Sequence, residues 1–333
     1  MGRRLRRLVG ALKDKASIGK ALALPKLDLL PIRLAIVEAT SHDPSSPPPH
    51  RHISTILATA GHSSRLVAST CVSSLLDRLH QTRSWAVALK CLIVVHRIAQ
   101  QGPFILQDQL GFYPPAGGRS SLNLANFRDP SSPEGWAVSS WVRWYARFLE
   151  SVLQASRVLG YFFNSGRPDG NLEDDVAAMT NVELLKELEA LVPVMEEIYR
   201  PEFLDGGRNP VVAEATSLVV ADLHLLQEEL LLRVREGEER IPALSFPELA
   251  DFVSAVKRLG ALLECPALVY GVKATGRLRD SVFRFLQAAP KPSLLTGGAN
   301  RTQAFSESAR FGSGRLVSPE VRFFSCRREY LPV

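Results

Sequence analysis

The chain has 333 residues, 46% of them apolar, enough for one large domain or two small ones with a sizeable buried core. No apolar run reaches the roughly 18 residues a membrane span needs, and the first residues are charged where a secretory signal would be apolar, so neither a membrane-spanning nor an exported protein is expected. The net charge of +6 is uneven: residues 1–100 hold 15 Lys/Arg against 5 Asp/Glu, while residues 171–205 hold ten acidic groups and two basic ones.

A basic front end beside an acidic middle fits an anionic partner, membrane headgroups or nucleic acid, and equally a merely solvated basic face. In chain order, RRLRRLVGALKDKASIGKAL (3–22) repeats apolar residues at Leu5, Leu8, Val9, Leu12 and Ala16, a helical spacing. Arg3, Arg4, Arg6, Arg7, Lys13 and Lys15 surround that stripe. Such a helix can lie in a membrane interface with its basic groups against phosphates, or simply pack on the domain. LPKLDLLP (24–31), bracketed by prolines, is expected to be extended. Residues 32–40 read as a short buried helix and DPSSPPP (43–49) as a loop.

Helical segments follow at 51–60, 64–81, 84–101 and 104–110. The third is apolar nearly all round and should be wrapped by neighbours, with Ser84 as its cap. A long helix is expected from near Ser132, with Pro133 and Glu134 well placed in its first turn. Further helices are expected over 171–200, broken near Pro193, and over 211–236 and 246–264. No sustained period-two runs suggest strands. The expected fold is therefore all-α, helices stacked as in a solenoid but without a fixed repeat period. Residues from 290 on, rich in Gly, Ser and Arg, are expected to form a disordered basic tail. Cys71, Cys91, Cys265 and Cys326 are scattered without a CxxC pair, which argues against zinc or a disulfide framework and fits a reducing, cytosolic setting.

The order EATSHDPSSPPPHRHI (38–53), SWAVALKCLIVVHRI (84–98), LANFRD (124–129) and SSWVRWYARFLE (139–150) resembles the ANTH-domain clathrin assembly proteins, particularly the plant branch, over roughly residues 1–265. The resemblance implies a right-handed helical solenoid: a basic helix and extended segment over 1–30, an N-terminal helical core over 31–165, a C-terminal helical part over 166–289 and the tail over 290–333. It implies a cytosolic, peripheral, non-enzymatic endocytic adaptor at clathrin-coated pits and vesicles, and at the Golgi. It implies binding of phosphatidylinositol 4,5-bisphosphate and clathrin, and suggests a clathrin adaptor complex and a vesicle SNARE as further partners. No cofactor is expected.

In that family a Lys before Ala-Thr and a Lys-x-Lys-His type cluster hold the headgroup. By that resemblance Arg51 and His52 match the last basic residue and the His, His50 lies within the cluster, and Pro49 replaces the first Lys. Glu38 stands where the family has its other Lys, a charge reversal at the phosphate site. This weakens the expected headgroup affinity and keeps open a soluble interaction scaffold with degenerate lipid binding. His42, His50 and His52 as zinc ligands, and the stretch as a plain linker, are the competing readings. Asp28, Leu29 and Leu30 form a candidate clathrin or adaptor motif, or Leu29 and Leu30 simply pack on the first helix. His96, Trp85, Trp141, Trp144 and Tyr145 read as core, and Lys90 and Arg143 as buried pairing or capping groups. No catalytic constellation or phosphate-binding glycine loop stands out, and nucleic-acid binding through residues 3–26 lacks a reading helix or aromatic platform.

Overall fold

Fourteen of the seventeen residues in the helix Trp85–Gln101 are buried, so this segment must be surrounded, and the rest of the fold is built around it. The computed structural model describes residues 3–22, 29–61, 64–111, 122–165, 172–200, 209–264 and 275–288. The tail, Asp28, Cys265 and Cys326 lie outside the described residues, as do the side chains of residues 3–7. Among the described residues there are twelve α-helices, one 3-10 turn and no strand, all within the unit Met1–Ala289. They are α1 (Arg3–Leu22), α2 (Leu30–Ala39), α3 (His50–Gly61), α4 (Arg65–Gln81), α5 (Trp85–Gln101), α6 (Phe104–Gly111), α7 (Pro133–Leu159), α8 (Leu172–Ala178), α9 (Asn181–Ile198), α10 (Pro210–Glu239), α11 (Phe246–Leu263) and α12 (Thr275–Ala288).

The stacking is sequential. Helix α2 packs on α3, α3 on α4 and α4 on α5; α5 meets α7, α7 meets α9, and α9 is covered by α10 and α11, with α12 closing on both. This is a helical solenoid in which each helix covers the apolar face of the one before. One apolar core runs through it from Ile32 to Phe285.

Local chemistry sets the helix ends. Ser132 Oγ accepts from the Gly135 N–H at 2.9 Å, ahead of Pro133 and Glu134 in the first turn of α7. That helix stops at Gly160, whose φ of 78° lies in the left-handed region. Glu183 accepts from the Thr180 N–H and hydroxyl, and Glu248 from those of Ser245, opening α9 and α11.

Three expectations need correction. The helical region over 171–200 breaks at Met179–Thr180, not at Pro193, which lies inside α9. Thr180 and Glu183 start a new helix there, and the buried neighbours Leu191, Val192, Val194 and Met195 hold the chain helical past the lost Pro193 N–H. Ser84 precedes α5 but its side chain makes no capping bond. The Trp85 N–H instead donates to Asp129 Oδ2 at 2.8 Å. Leu30 and Pro31, expected to be extended, form the first turn of α2, where proline is tolerated.

Two buried polar clusters tie the layers together. Asp222 of α10 is fully buried and accepts from His96 Nε2, Gln100 Nε2 and Asn164 Nδ2, each at 2.7 Å. His96 Nδ1 lies 2.7 Å from the Tyr145 hydroxyl. One neutral tautomer satisfies both bonds, Nε2–H donating and Nδ1 accepting, and burial pushes the Tyr145 phenol well above its ordinary pKa, so it keeps its proton as the donor. Farther along, the fully buried Arg233 donates to Glu187, Glu229 and the Tyr161 hydroxyl. Among the sequence motifs, Asp129 and Arg143 are thus positioning groups: Asp129 caps α5, and Arg143 Nη1 donates to the Phe127 carbonyl at 2.9 Å.

Candidate membrane-contact site

Residues 40–49 join α2 to α3, and three later helices fix the first half of the connection. Thr40 at the C-cap of α2 accepts from Arg78 Nε, and the Arg78 Nη2 donates to the Thr40 carbonyl at 2.9 Å. Lys90 Nζ, reaching from α5, donates to Ser41 Oγ at 3.0 Å and to the Asp43 carbonyl at 2.7 Å. Burial pulls the Lys90 amine down to about 8, although Asp43 and Asp14 oppose the fall. The Pro44 carbonyl accepts from Asn209 Nδ2, at the cap of α10, at 3.0 Å. Partial burial works against ionisation of Asp43, but its bonds with Ser45 and Ser46 outweigh this and hold the carboxyl below its ordinary range. The connection is therefore anchored at one end and closed by an Asp-centred turn at the other.

The anchored loop places the first turn of α3. His50 and Arg51 are exposed there; His52 is half turned inward. His52 Nδ1 lies 3.0 Å from Glu38 Oε2, and Arg51 Nε donates to His52 Nε2 at 3.0 Å. The ring accepts on Nε2, so its proton sits on Nδ1, facing the carboxylate. Glu38 thus engages the very histidine that the resemblance assigns to phosphate. His50 Nδ1 pairs with Ser54 Oγ at 3.1 Å, and His42 Nδ1 with Asp14 at 2.6 Å. The three rings each face a different partner, and among the described residues no group of three His, Cys, Asp or Glu side chains could hold a metal ion.

Helix α1 is mounted against this loop by its small and polar face. Gly10 is buried, and a Cβ there would lie 3.1 Å from His42 Cβ, so only glycine allows the approach without a shift. Asp14 accepts from the His42 N–H at 3.0 Å and from its ring, with Arg78 3.9 Å away. Ala21 is buried as well. The apolar stripe expected at 3–22 consequently points outward: Leu8 is 62% and Leu12 65% exposed. Lys13 and Lys15 are exposed, while the side chains of Arg3, Arg4, Arg6, Arg7 and Leu5 lie outside the described residues. No described helix is long and apolar enough to cross a membrane.

The candidate motif at 28–30 is not presented as an extended peptide over its described part. Leu29 is 7% exposed and packs on the domain, and Leu30, half-buried, opens α2.

Sequence reasoning missed an open cleft of about 1670 Å³ between α1, α2, the α4–α5 connection and the 129–134 loop. Lys13 and Lys20 of α1, Arg33 of α2, and Arg78 and Arg83 line it. Arg33 and Arg83 sit in no motif, and 50 residues separate them, so only the fold brings them together.

A family model described as "ANTH domain" matches residues 32–260. The chain is 43% identical over 347 aligned residues to an Arabidopsis thaliana protein named for clathrin assembly, At4g40080, an alignment that covers 96% of this chain and 93% of that one. A second Arabidopsis thaliana protein named in the same way, At2g01600, is 37% identical over 226 residues, covering 65% of this chain but 38% of the relative. A third, At5g10410, is 30% identical over 241 residues, covering 70% and 69%. The chain thus spans nearly all of the first relative and well under half of the second.

Proposed function

The chain belongs to the ANTH-domain family, and on that premise we propose that it is a non-catalytic peripheral adaptor that meets an anionic, phosphoinositide-bearing membrane and helps assemble clathrin there. The observation that carries the membrane half of this reading is the mounting of α1. Its small face is spent on the domain, and Leu8 and Leu12 are left outward beside Lys13 and Lys15. Apolar side chains entering the headgroup region, with cations against phosphates, suit that arrangement. Exposed Arg51 on the first turn of α3 adds positive charge at a helix N-terminus, where anions are favoured, and exposed His50 stands next to it. The names of the relatives support the clathrin half. Coated pits and vesicles are the compartment this implies; a clathrin adaptor complex, a vesicle SNARE and the Golgi follow from the resemblance alone. Weak lipid contact and protein contacts acting together give useful avidity.

The test is co-sedimentation with vesicles containing phosphatidylinositol 4,5-bisphosphate, together with pull-down of clathrin. Wild-type protein pellets with the vesicles; Leu8→Glu with Leu12→Glu, and separately Arg51→Glu with His52→Glu, lower the pelleted fraction while circular dichroism stays unchanged. Equal pelleting of wild type and both variants would sink the membrane reading, and failure to retain clathrin would sink the other half.

A second reading, a soluble helical scaffold of the same fold, is favoured by one observation: Glu38 occupies His52. Under it, neither variant changes pelleting, because wild-type protein stays in the supernatant.

A further inference from the structure

The connection between α2 and α3 ends in DPSSPPP (43–49), directly ahead of the basic first turn of α3. Ser45, Ser46 and Pro49 are exposed, Pro44 and Pro47 are half-buried, and Pro48 is buried, so the prolines are pinned to the domain while the serines face solvent. The Ser46 hydroxyl donates to Asp43 Oδ2 at 2.8 Å, and Ser45 gives Asp43 Oδ1 its hydroxyl at 2.6 Å and its N–H at 3.1 Å. Asp43 is itself held from the interior, because the buried Lys90 donates to its carbonyl. Ser46 therefore stands exposed on a fixed base.

The backbone around Ser46 suits phosphoryl transfer. Proline disfavours the helical region for the residue before it, so Pro47 keeps Ser46 non-helical, and Pro47, Pro48 and Pro49 run without regular structure to the start of α3. A kinase groove takes its substrate as such a non-helical segment, and the proline-directed class accepts a residue after the serine that has no N–H to offer. Ser132-Pro133 has the same two residues in the wrong setting. Ser132 is half-buried, its Oγ accepts from the Gly135 N–H, and Pro133 already lies in α7, so the helix would have to unwind to expose it. The remaining Ser-Pro pair, Ser318-Pro319, lies outside the described residues.

We infer that Ser46 is a phosphorylation site for a proline-directed serine kinase, and that its phosphate weakens membrane contact at the first turn of α3. In the transfer, Ser46 Oγ bonds to the γ-phosphorus of ATP, the bond from that phosphorus to the ADP oxygen breaks, and the hydroxyl proton passes to the base of the kinase. The effect on the membrane rests on the reading above, in which Arg51 and the start of α3 meet anionic lipid.

Phosphorylation replaces a hydroxyl donor with roughly 1.5 to 2 negative charges. The Ser46–Asp43 hydrogen bond becomes a repulsion, which turns the phosphate away from that carboxylate. Three prolines separate Ser46 from His50, and at the polyproline rise they place Ser46 about 9 Å from Pro49. That distance is close to one Debye length at physiological ionic strength. The added charge therefore acts on Arg51 and on the open N–H groups of the first helical turn, partly neutralising them and repelling an approaching lipid phosphate. Phosphorylation beside a basic membrane-binding segment releases it from anionic lipid by the same electrostatics.

The experiment treats the full chain with a cyclin-dependent kinase and ATP, then applies peptide mapping by mass spectrometry and co-sedimentation with vesicles containing phosphatidylinositol 4,5-bisphosphate. Ser46 of the folded protein gains a phosphate, Ser132 gains none, and Pro47→Ala suppresses the reaction at Ser46. Vesicle affinity of the phosphorylated chain falls about tenfold at low ionic strength and about threefold near physiological salt, and a phosphatase restores it. Ser46→Ala pellets as unmodified wild type does and keeps its affinity after kinase treatment, which separates Ser46 from any effect of Ser318. Absence of phosphate on Ser46 of the folded chain overturns the site. Phosphate on Ser46 with undiminished pelleting overturns its effect on the membrane while leaving the membrane reading intact. If unmodified wild type does not pellet, the membrane reading fails and the effect of the phosphate falls with it.

Discussion

Replacing Glu38 with lysine is the sharpest perturbation of the α3 site. In the wild type the Glu38 carboxylate, 45% exposed, lies 3.0 Å from His52 Nδ1 and places a negative charge where an approaching phosphate would arrive. Two unit charges about 4 Å apart interact by about 1 kcal/mol in bulk water and about 4 kcal/mol at an effective dielectric of 20. A carboxylate this open to solvent sits toward the lower figure. Reversing the sign converts repulsion into attraction and doubles it, so Glu38→Lys should strengthen phosphoinositide binding by about 2 kcal/mol, close to thirtyfold. Losing the Glu38–His52 pair costs less than about 1 kcal/mol of fold stability, because one partner is exposed. Glu38→Gln should give about half the gain. The assay is vesicle partitioning at low and at near-physiological ionic strength, with urea denaturation as the control for folding. The gain should shrink as salt rises, since part of it is screened. If Glu38→Lys partitions no more strongly than wild type at low salt while remaining equally stable, Glu38 does not face the phosphate and the placement of the headgroup beside His52 is mistaken.

Three further outcomes follow from the buried polar groups. Asp129→Ala strips acceptors from the Trp85 and Ser131 N–H groups and should cost about 2–4 kcal/mol in urea denaturation; a loss under about 1 kcal/mol would show that α5 needs no cap from the 129–134 loop. Asp222→Asn turns an acceptor of three bonds into a group that must point an N–H₂ at a donor, so a loss of about 3–5 kcal/mol is expected by the same measurement, and His96→Ala in the Asp222→Asn background should add much less than it does alone. The Lys90 amine, held at about 8, gives a pH signature. Between pH 8 and about 10.4 the unfolded lysine keeps a proton that the folded one has released, so wild-type stability relative to Lys90→Met should rise with pH across that window, by up to about 3 kcal/mol. A flat difference curve would mean that Lys90 titrates normally.

Much of the candidate site could be read before the fold was known, because its residues are close in sequence. His50, Arg51, His52 and Glu38 lie within one turn-and-helix segment, and the prolines between them require a loop. What that reading missed was the pairing of Glu38 with His52, which depends on how the end of α2 faces the start of α3. The apolar stripe of α1 was equally plain from its spacing, yet its direction was not: the pattern of Leu8 and Leu12 marks a face without saying whether domain or solvent receives it. Gly10, Ala21 and Asp14 decide it by offering a closer approach on the opposite side. Asp129 looked like one residue of a loop motif and Ser84 like a cap. The structure exchanges their roles because Ser84 contributes no bond while a carboxylate 44 residues away reaches the Trp85 N–H.

By itself the sequence determined the class of fold and the succession of its helices, since both rest on short-range periodicity and on capping residues that act within one turn. It likewise determined that the front of the chain is basic, which is a matter of counting. Tertiary structure alone decided where the charges converge and which of them are neutralised. Electrostatic and hydrogen-bond partners are chosen by distance in space, and stacking brings Arg33 and Arg83 to the walls of one cleft, and His96 against Asp222, across separations along the chain that no local pattern encodes.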